Sequence, residues 1–406
     1  MKCLNVMLHV FALAGAAYAS VPQITDFSVT QGDSSRKVTI DYRITGEPAV
    51  VTVDVLTNGT SIGYANLRGF VGDIYYVRPV SPEGTSYQIT WRPDKYWPEG
   101  GEIKDGSVSF KLTAWSTNAP PEWLVADLRM SKTVYFYPDP ELFPAGPELT
   151  NNVYKTDYLI MRKIPAAGKT FVMGQLGSSH SSYAQRTVSF SKDFYISIFA
   201  MTAGQYHRVV SKNIADDFAN DESRRLPGVN VTKAVCDNMA AALVQRFADS
   251  FSPNFNLPSS AEWEFACRAG TVGGRPFPDD KMYEYVWYTV NSGGKLKEVG
   301  LKKPNAWLLY DMIGNVNEFT RDVYKALTPS SEPILDPEST GTGSTWVFHG
   351  GAFNEVFVFF KGKRWNARQH ECAGNADETY EEVVGAEVLH KVDLGKHDNA
   401  ERDGYG

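Results

Sequence analysis

The chain has 406 residues, enough for two domains of ordinary size. Its hydrophobic fraction of 43% can build packed cores, and 34 Gly with 22 Pro favour a turn-rich, β-rich fold over a helical bundle. A net charge of −7 without a basic stripe excludes nucleic acid as a partner, because phosphate binding needs clustered Lys and Arg.

Residues 1–19 have the form of a secretory leader. Lys2 supplies the positive start, an apolar run extends from Val6 to Ala17, and Ala17-Tyr18-Ala19 fits the small-x-small cleavage rule. The run is short for a membrane span and no later segment is longer, so the expectation is export to the periplasm, cell surface or medium without a membrane span. Cys3 lies too early, and without small neighbours, to be a lipid-attachment site. Cleavage leaves Cys236, Cys267 and Cys372, an odd set in which at least one thiol stays unpaired. No CxxC or Cys/His spacing points to zinc.

From Val21 to about Pro138 the pattern is one of short strands. Lys37 to Ile44 alternates, with Val38, Ile40, Tyr42 and Ile44 on one face. Ala49 to Leu56 repeats the pattern and ends at Asn58-Gly59, a strong hairpin signal. Tyr87–Trp91, Ser107–Trp115 and Thr133–Tyr137 are further candidates. Such spacing implies an immunoglobulin-like β-sandwich over 21–138, a module that spaces, docks or binds. Residues 139–153, with Pro140, Pro144 and Pro147, form an expected stiff linker.

The second domain, 154–392, opens with strands at Tyr158–Ile164, Lys169–Gln175 and within Thr187–Ile198. Gly168-Lys169-Thr170 resembles the end of a phosphate-binding loop, but Lys163 stands where that loop needs Gly. Thr202 with Gln205 is a capping box, and a second helix is expected from Lys233 to about Ala248, with Val235, Met239, Ala242, Leu243 and Phe247 on one side. Ser259 with Glu262 is another capping box, which gives Glu262 a helix-starting role. From Gly270 the chain is mostly loops and short strands, and 393–406 form a polar tail expected to be disordered.

Pro304 to Asp322 concentrates the most information. Gly314-Asn315 bends the backbone, and Glu318 follows among apolar neighbours. A carboxylate there needs a partner. Capping of backbone amides, an Arg, or a hard cation held by turn carbonyls would each serve.

Several stretches together resemble the formylglycine-generating enzyme family, also called sulfatase-modifying factor domains. Phe171-Val172-Met173-Gly174 is similar to that family's opening F-x-M-G, and Met201-Thr202 to Gln205-Tyr206 to its E-V-T-x-x-Q-Y. Leu257 to Phe265 is similar to L-P-T-E-A-E-W-E-Y, and Pro304 to Phe319 to P-N-x-x-G-L-Y-D-M-x-G-N-V-W-E-W. Gly350-Gly351 sits where the family has R-G-G-S-W. The resemblance covers about 155–390 and implies an α+β fold, loop-rich and related to C-type lectins. It also implies a calcium site with the Glu318 carboxylate and the carbonyls of Ile313, Gly314 and Val316.

The departures fall in the last third. The family's oxidases hold copper with two Cys a few residues past Gly-Gly, and those positions are Glu355 and Phe360. Asn317, His349 and Ala352 replace the family's Trp, Arg and Ser, and Gly385-Ala386-Glu387 replaces its G-F-R, while Arg368 falls where the family has Arg. The reading is therefore a non-catalytic relative, with calcium as structural ion, copper not expected, and a protein or glycan as partner. One alternative is an oxidoreductase built on Cys372 with His370 and Glu371. Another is a lectin-like module whose changed loops carry Asn354, Glu355, Phe357, Phe359, Asn366 and Gln369, with Asn354, Glu355 and Arg368 as the candidate ligand-binding residues. No iron-binding His pair, nucleophile elbow or dinucleotide fingerprint is present.

Overall fold

The computed structural model describes residues 21–31, 36–93, 108–129, 131–174, 185–211, 220–249, 253–272, 275–325, 328–343 and 345–354, with the backbone of 7–9 and 370–373. The first part is two sheets. One has the order β1 (Gln23–Gln31), β2 (Val38–Thr45), β5 (Thr85–Trp91), β4 (Phe70–Gly72). The other centres on β3 (Ala49–Thr57), which pairs along its whole length with β6 (Val108–Ser116). Its opposite edge pairs with the short pieces Thr60–Ser61 and Val77–Arg78. Asn58 and Gly59 turn with φ of 51° and 81°, as an Asn-Gly hairpin requires.

The alternation in the sequence becomes a shared apolar layer. Val38, Ile40, Tyr42 and Ile44 of β2 and Ala49, Val51, Val53 and Val55 of β3 belong to one buried cluster. Trp91 closes it by stacking on Phe70 at 5.2 Å. The other face of β3 is also covered: Val50 is buried against Leu124 and Ala126 of the next sheet. Burial on both faces explains why this strand begins as an unbroken apolar run.

The next sheet has the order β8 (Val134–Tyr137), β7 (Trp123–Asp127), β9 (Tyr158–Ile164), β12 (Phe194–Ser197), then the backbone of Met7–His9 and β13 (Asn254–Asn256). The strand at 134–137, grouped with the N-terminal module on sequence alone, thus lies in a sheet with β9. The proline-rich stretch connects two strands of this sheet, and Leu142, Phe143 and Leu149 within it and Tyr154 just after it are buried. Asp139 and Asn151 cap short 3-10 turns there. The Tyr154 hydroxyl donates to the Gly146 carbonyl and accepts from the Ala145 amide. A stretch fixed by so many buried contacts is a packed strap.

Two smaller sheets follow. β10 (Thr170–Met173) pairs with β11 (Arg186–Ser189), and β15 (Ser330–Leu335) adds to β11 in parallel. β14 (Glu318–Val323) pairs with β16 (Thr345–His349), and β17 (His370–Ala373) extends it by backbone pairing. The helices are α1 (Ala203–Val210), α2 (Lys233–Arg246) and α3 (Ser260–Arg268), besides single turns. Both expected capping boxes form, at Thr202 with Gln205 and at Ser259 with Glu262. All nine residues of α3 are buried, which its amphipathic-looking sequence does not suggest. Its polar residues are paired: Glu264 bonds Arg268 one turn on and accepts from the Gly174 amide at 3.1 Å. The chain is a mixed α+β protein, and no helix among the described residues is long and apolar enough to cross a membrane.

Candidate functional site

The site forms where the start of α3, the pair β14–β16 and the Gly314-Asn315 turn converge. Gly314 and Asn315 take φ of 84° and 61°. Asn315 is fully buried, and its side-chain amide pairs with both the amide and the carbonyl of Lys297, at 3.1 and 3.0 Å. The Gly314 amide donates to Gly350, the Asn315 amide to Trp287, and the Phe353 amide to the Asn315 carbonyl. One turn therefore ties together segments around residues 287, 297, 350 and 353.

Glu318 opens β14 and is 1% exposed. The Trp263 indole N–H donates to its Oε2 at 2.5 Å. The Trp263 ring stacks on His349 at 4.7 Å, and His349 Nε2 lies 2.7 Å from Ser260 Oγ. The Ser260 amide in turn donates to Asp322 at 2.7 Å, and the Ser339 amide donates to its other oxygen at 2.8 Å. Ser260 with His349 has the contacts of a nucleophile and base, but their exposures of 1% and 0% close them to substrate. They act as a buried network that holds α3 against β14 and β16.

A second bond system centres on Arg321 of β14. Arg321 donates to both oxygens of Glu262, at 2.8 and 3.1 Å, to Glu338 at 2.7 Å and to the Leu257 carbonyl at 2.8 Å. Burial alone would lower the Arg321 pKa, but the charge and hydrogen bonds of Glu262 outweigh it and raise it. Glu262 does start the helix, accepting from the Ser259 amide at 2.7 Å, and it also anchors this Arg.

Burial pushes the Asp322 carboxyl up from 3.8 to about 6, against the two amides that donate to it. The folded carboxyl then holds its proton more tightly than the unfolded one. The unfolded state binds fewer protons between about pH 4 and pH 6, so this group's contribution to stability falls as pH rises through that window and is level above it. Asp322→Asn should remove the fall. The wild-type-minus-variant difference in unfolding free energy, measured in urea, is expected to decline from pH 4 to pH 6 and then stay constant. A difference independent of pH would rule out a buried titrating carboxyl. Asp311, 3% exposed and bonded to the Gly300 amide at 2.7 Å, is pushed to about 6 by burial in the same way.

The residues named for calcium follow one another along the Gly314-Asn315 turn and into β14. Ile313, Gly314, Val316 and Glu318 are all buried, and all the donors are oxygen. The Gly314 carbonyl accepts from the Val316 amide at 2.7 Å. The Val316 and Met312 carbonyls face Gly350, where a Cβ would lie 3.1 and 3.4 Å from them. A glycine at 350 has no Cβ to crowd these two carbonyls. Among the described residues no group of three or more His, Cys, Asp or Glu is arranged to hold a metal. A site of one carboxylate and several carbonyls does not need one.

Of the residues expected to meet a ligand, Asn354 is exposed just after the buried Phe353, while Glu355 and Arg368 lie outside the described residues. Cys236 and Cys267 are both buried and not disulfide-bonded, and burial pushes the Cys267 thiol up. For Cys372 only the backbone is described, opposite Trp346. Ser260 and Asp322 escaped sequence reasoning, and His349 was noted only as a departure. Ser260 and His349 are 89 residues apart, so no local spacing could signal their pairing.

A model of the sulfatase-modifying factor enzyme 1-like domain matches residues 160–381, more than half of the chain, and the chain belongs to that family. It is similar to the formylglycine-generating enzyme of Streptomyces coelicolor, 32% identical over 111 residues, covering 24% of this chain and 35% of that one. The chain thus spans about a third of that relative's length. It is also similar to a protein of Paenibacillus barcinonensis called Chaperone protein LppX, 27% identical over 245 residues, covering 47% of this chain and 81% of that one. Among solved structures, Treponema denticola variable protein 1 aligns at a TM-score of 0.44 and 21% identity, over 53% of this chain and 90% of that one.

Proposed function

We propose that this is an exported, non-catalytic member of the family that acts in binding or as a surface scaffold. The observation that carries the reading is the state of the cysteines. Copper chemistry of the oxidase kind needs accessible thiolates. Cys236 and Cys267 are 0% and 3% exposed, and the positions of the family's Cys pair are Glu355 and Phe360. The partner is a protein or glycan met by Asn354, Glu355 and Arg368. Asn354 follows a backbone pinned by the Phe353–Asn315 bond and by Ser292, whose hydroxyl donates to the Phe353 carbonyl at 2.8 Å. A rigid support of that kind suits a recognition loop. The N-terminal pair of sheets serves as an immunoglobulin-like module. Loss of the leader on export takes Met7–His9 out of the six-stranded sheet.

Calcium is the structural ion in this reading, held by Glu318 and the carbonyls of Ile313, Gly314 and Val316. Calcium at about 100 times its dissociation constant should raise stability by about 2.7 kcal/mol in the wild type and not in Glu318→Gln. The test of function is metal content of the purified exported chain, then copper(I) titration and oxygen uptake with a Cys-containing peptide. Calcium without oxygen uptake is the expected outcome. Stoichiometric copper with oxygen uptake would overturn the proposal and direct attention to Cys372.

A further inference from the structure

The two N-terminal sheets are finished on one side and unfinished on the other. On the finished side, β3 carries Thr60–Ser61 and Val77–Arg78 along its outer edge. On the other side both sheets stop among the described residues. Among the described residues β1 pairs only with β2, and β6 only with β3. Both free edges are nine residues long. Proteins usually blunt such edges with several charges, Pro or very short strands, because unpaired N–H and C=O groups template pairing with another chain. Here β1 carries one charge, Asp26, and β6 carries one, Lys111, with no Pro in either.

The apolar layer is uncovered along the same side. Phe27 is paired with Tyr42 and Val29 with Ile40, so the pleat points all four inward. Tyr42 and Ile40 are 2% and 0% exposed, but Phe27 and Val29 are 53% and 38% exposed. Across the gap Val108 is 42% exposed, on the same face of β6 as Phe110 and Leu112, which pack on the core. Inward-pointing side chains this open are what an added strand would cover.

We infer that a second copy of this chain docks on this side, edge to edge. The strand directions select it. β1 runs antiparallel to β2, and β6 antiparallel to β3. Only Gly46, Glu47 and Pro48 join β2 to β3, so the chain crosses between the sheets and reverses there. The free edges β1 and β6 therefore run in opposite directions, on opposite sheets. A two-fold axis along the strands sets β1 of one copy antiparallel beside β6 of the other, and does so twice. Each sheet then continues into the partner's other sheet, and Phe27, Val29 and Val108 are covered from both sides. A single added peptide strand satisfies one edge and leaves the other free. The isologous pair satisfies both.

Sedimentation equilibrium of the full chain, with Phe27→Lys and Val108→Lys as variants, tests this. The wild type should show a monomer–dimer equilibrium. Each variant should weaken it about tenfold or more with an unchanged circular dichroism spectrum, since the substituted side chains are already half exposed. Amide hydrogen exchange of Gln23–Gln31 and Val108–Ser116 in the wild type should slow as concentration rises, a readout independent of any variant. A wild type that stays monomeric, a dimer indifferent to both substitutions, or edge amides whose exchange ignores concentration would each overturn the docking.

Discussion

Arg321→Ala is expected to lower the unfolding free energy by about 3–5 kcal/mol, the loss typical when one partner of a buried ion pair is removed. Arg321 and Glu262 have side-chain exposures of 14% and 7%, so water cannot take over the bonds that the substitution breaks. Glu262 would keep its bond from the Ser259 amide but lose the two bonds and the charge of Arg321 in a low-dielectric pocket, and the Leu257 carbonyl would lose the Arg321 donor. The same Arg reaches Glu338, which is 35% exposed on its side chain. That half of the network is a contrast: Glu338→Gln should cost about 1 kcal/mol or less, because a solvated ion pair contributes little. Denaturant midpoints of the two variants decide the matter. Equal and small losses would mean that the buried half of the network contributes no more than the exposed half.

Gly314→Ala is expected to cost a similar amount, about 2–5 kcal/mol, by a different route. The φ of 84° costs a residue with a Cβ roughly 1–2 kcal/mol. The added Cβ would also stand 2.3 Å from the Trp287 carbonyl oxygen and 2.7 Å from Val286 Cγ1. Neither can yield cheaply, since the Trp287 carbonyl accepts from Asn315 and Val286 is fully buried. Overpacking of this kind adds about 1–3 kcal/mol. Gly293→Ala is the matched comparison, with a φ of 64° and nothing within 4 Å of its Cβ. It should show the conformational cost alone. If the two variants melt together, the close approach at Gly314 is not a constraint. If Gly314→Ala also loses its response to calcium while Gly293→Ala keeps it, the turn and the proposed ion site are one unit.

What could be read from the sequence was what is local in the chain. The alternation of Val38, Ile40, Tyr42 and Ile44 locates a strand and its inner face, because the side-chain period of a strand is two. The capping boxes at Thr202 and Ser259 close over three residues, so they are legible in a short window. Gly314-Asn315 forecasts a bend for the same reason. The site is different. Glu318 and Trp263 are 55 residues apart, Arg321 and Glu262 are 59 apart, and buried Lys155 finds Glu298 across 143 residues. Such pairs depend on the topology, which brings α3 beneath β14 and β16, and no periodicity encodes them. The motif resemblance pointed to the right segments, but not to the indole that holds Glu318 or to His349 as a buried stacking partner. The proline-rich stretch misleads for a related reason. Pro forbids regular structure, yet it does not forbid burial, and Leu142, Phe143 and Leu149 supply the apolar contacts that fix the strap.

The pairing of β7 with both β8 and β9 bears on how such a chain can be cut and joined. A cut at the prolines would part β7 and β8 from β9, with which β7 pairs. A truncation that ends at the prolines would leave β9 without the strand that flanks it on that side.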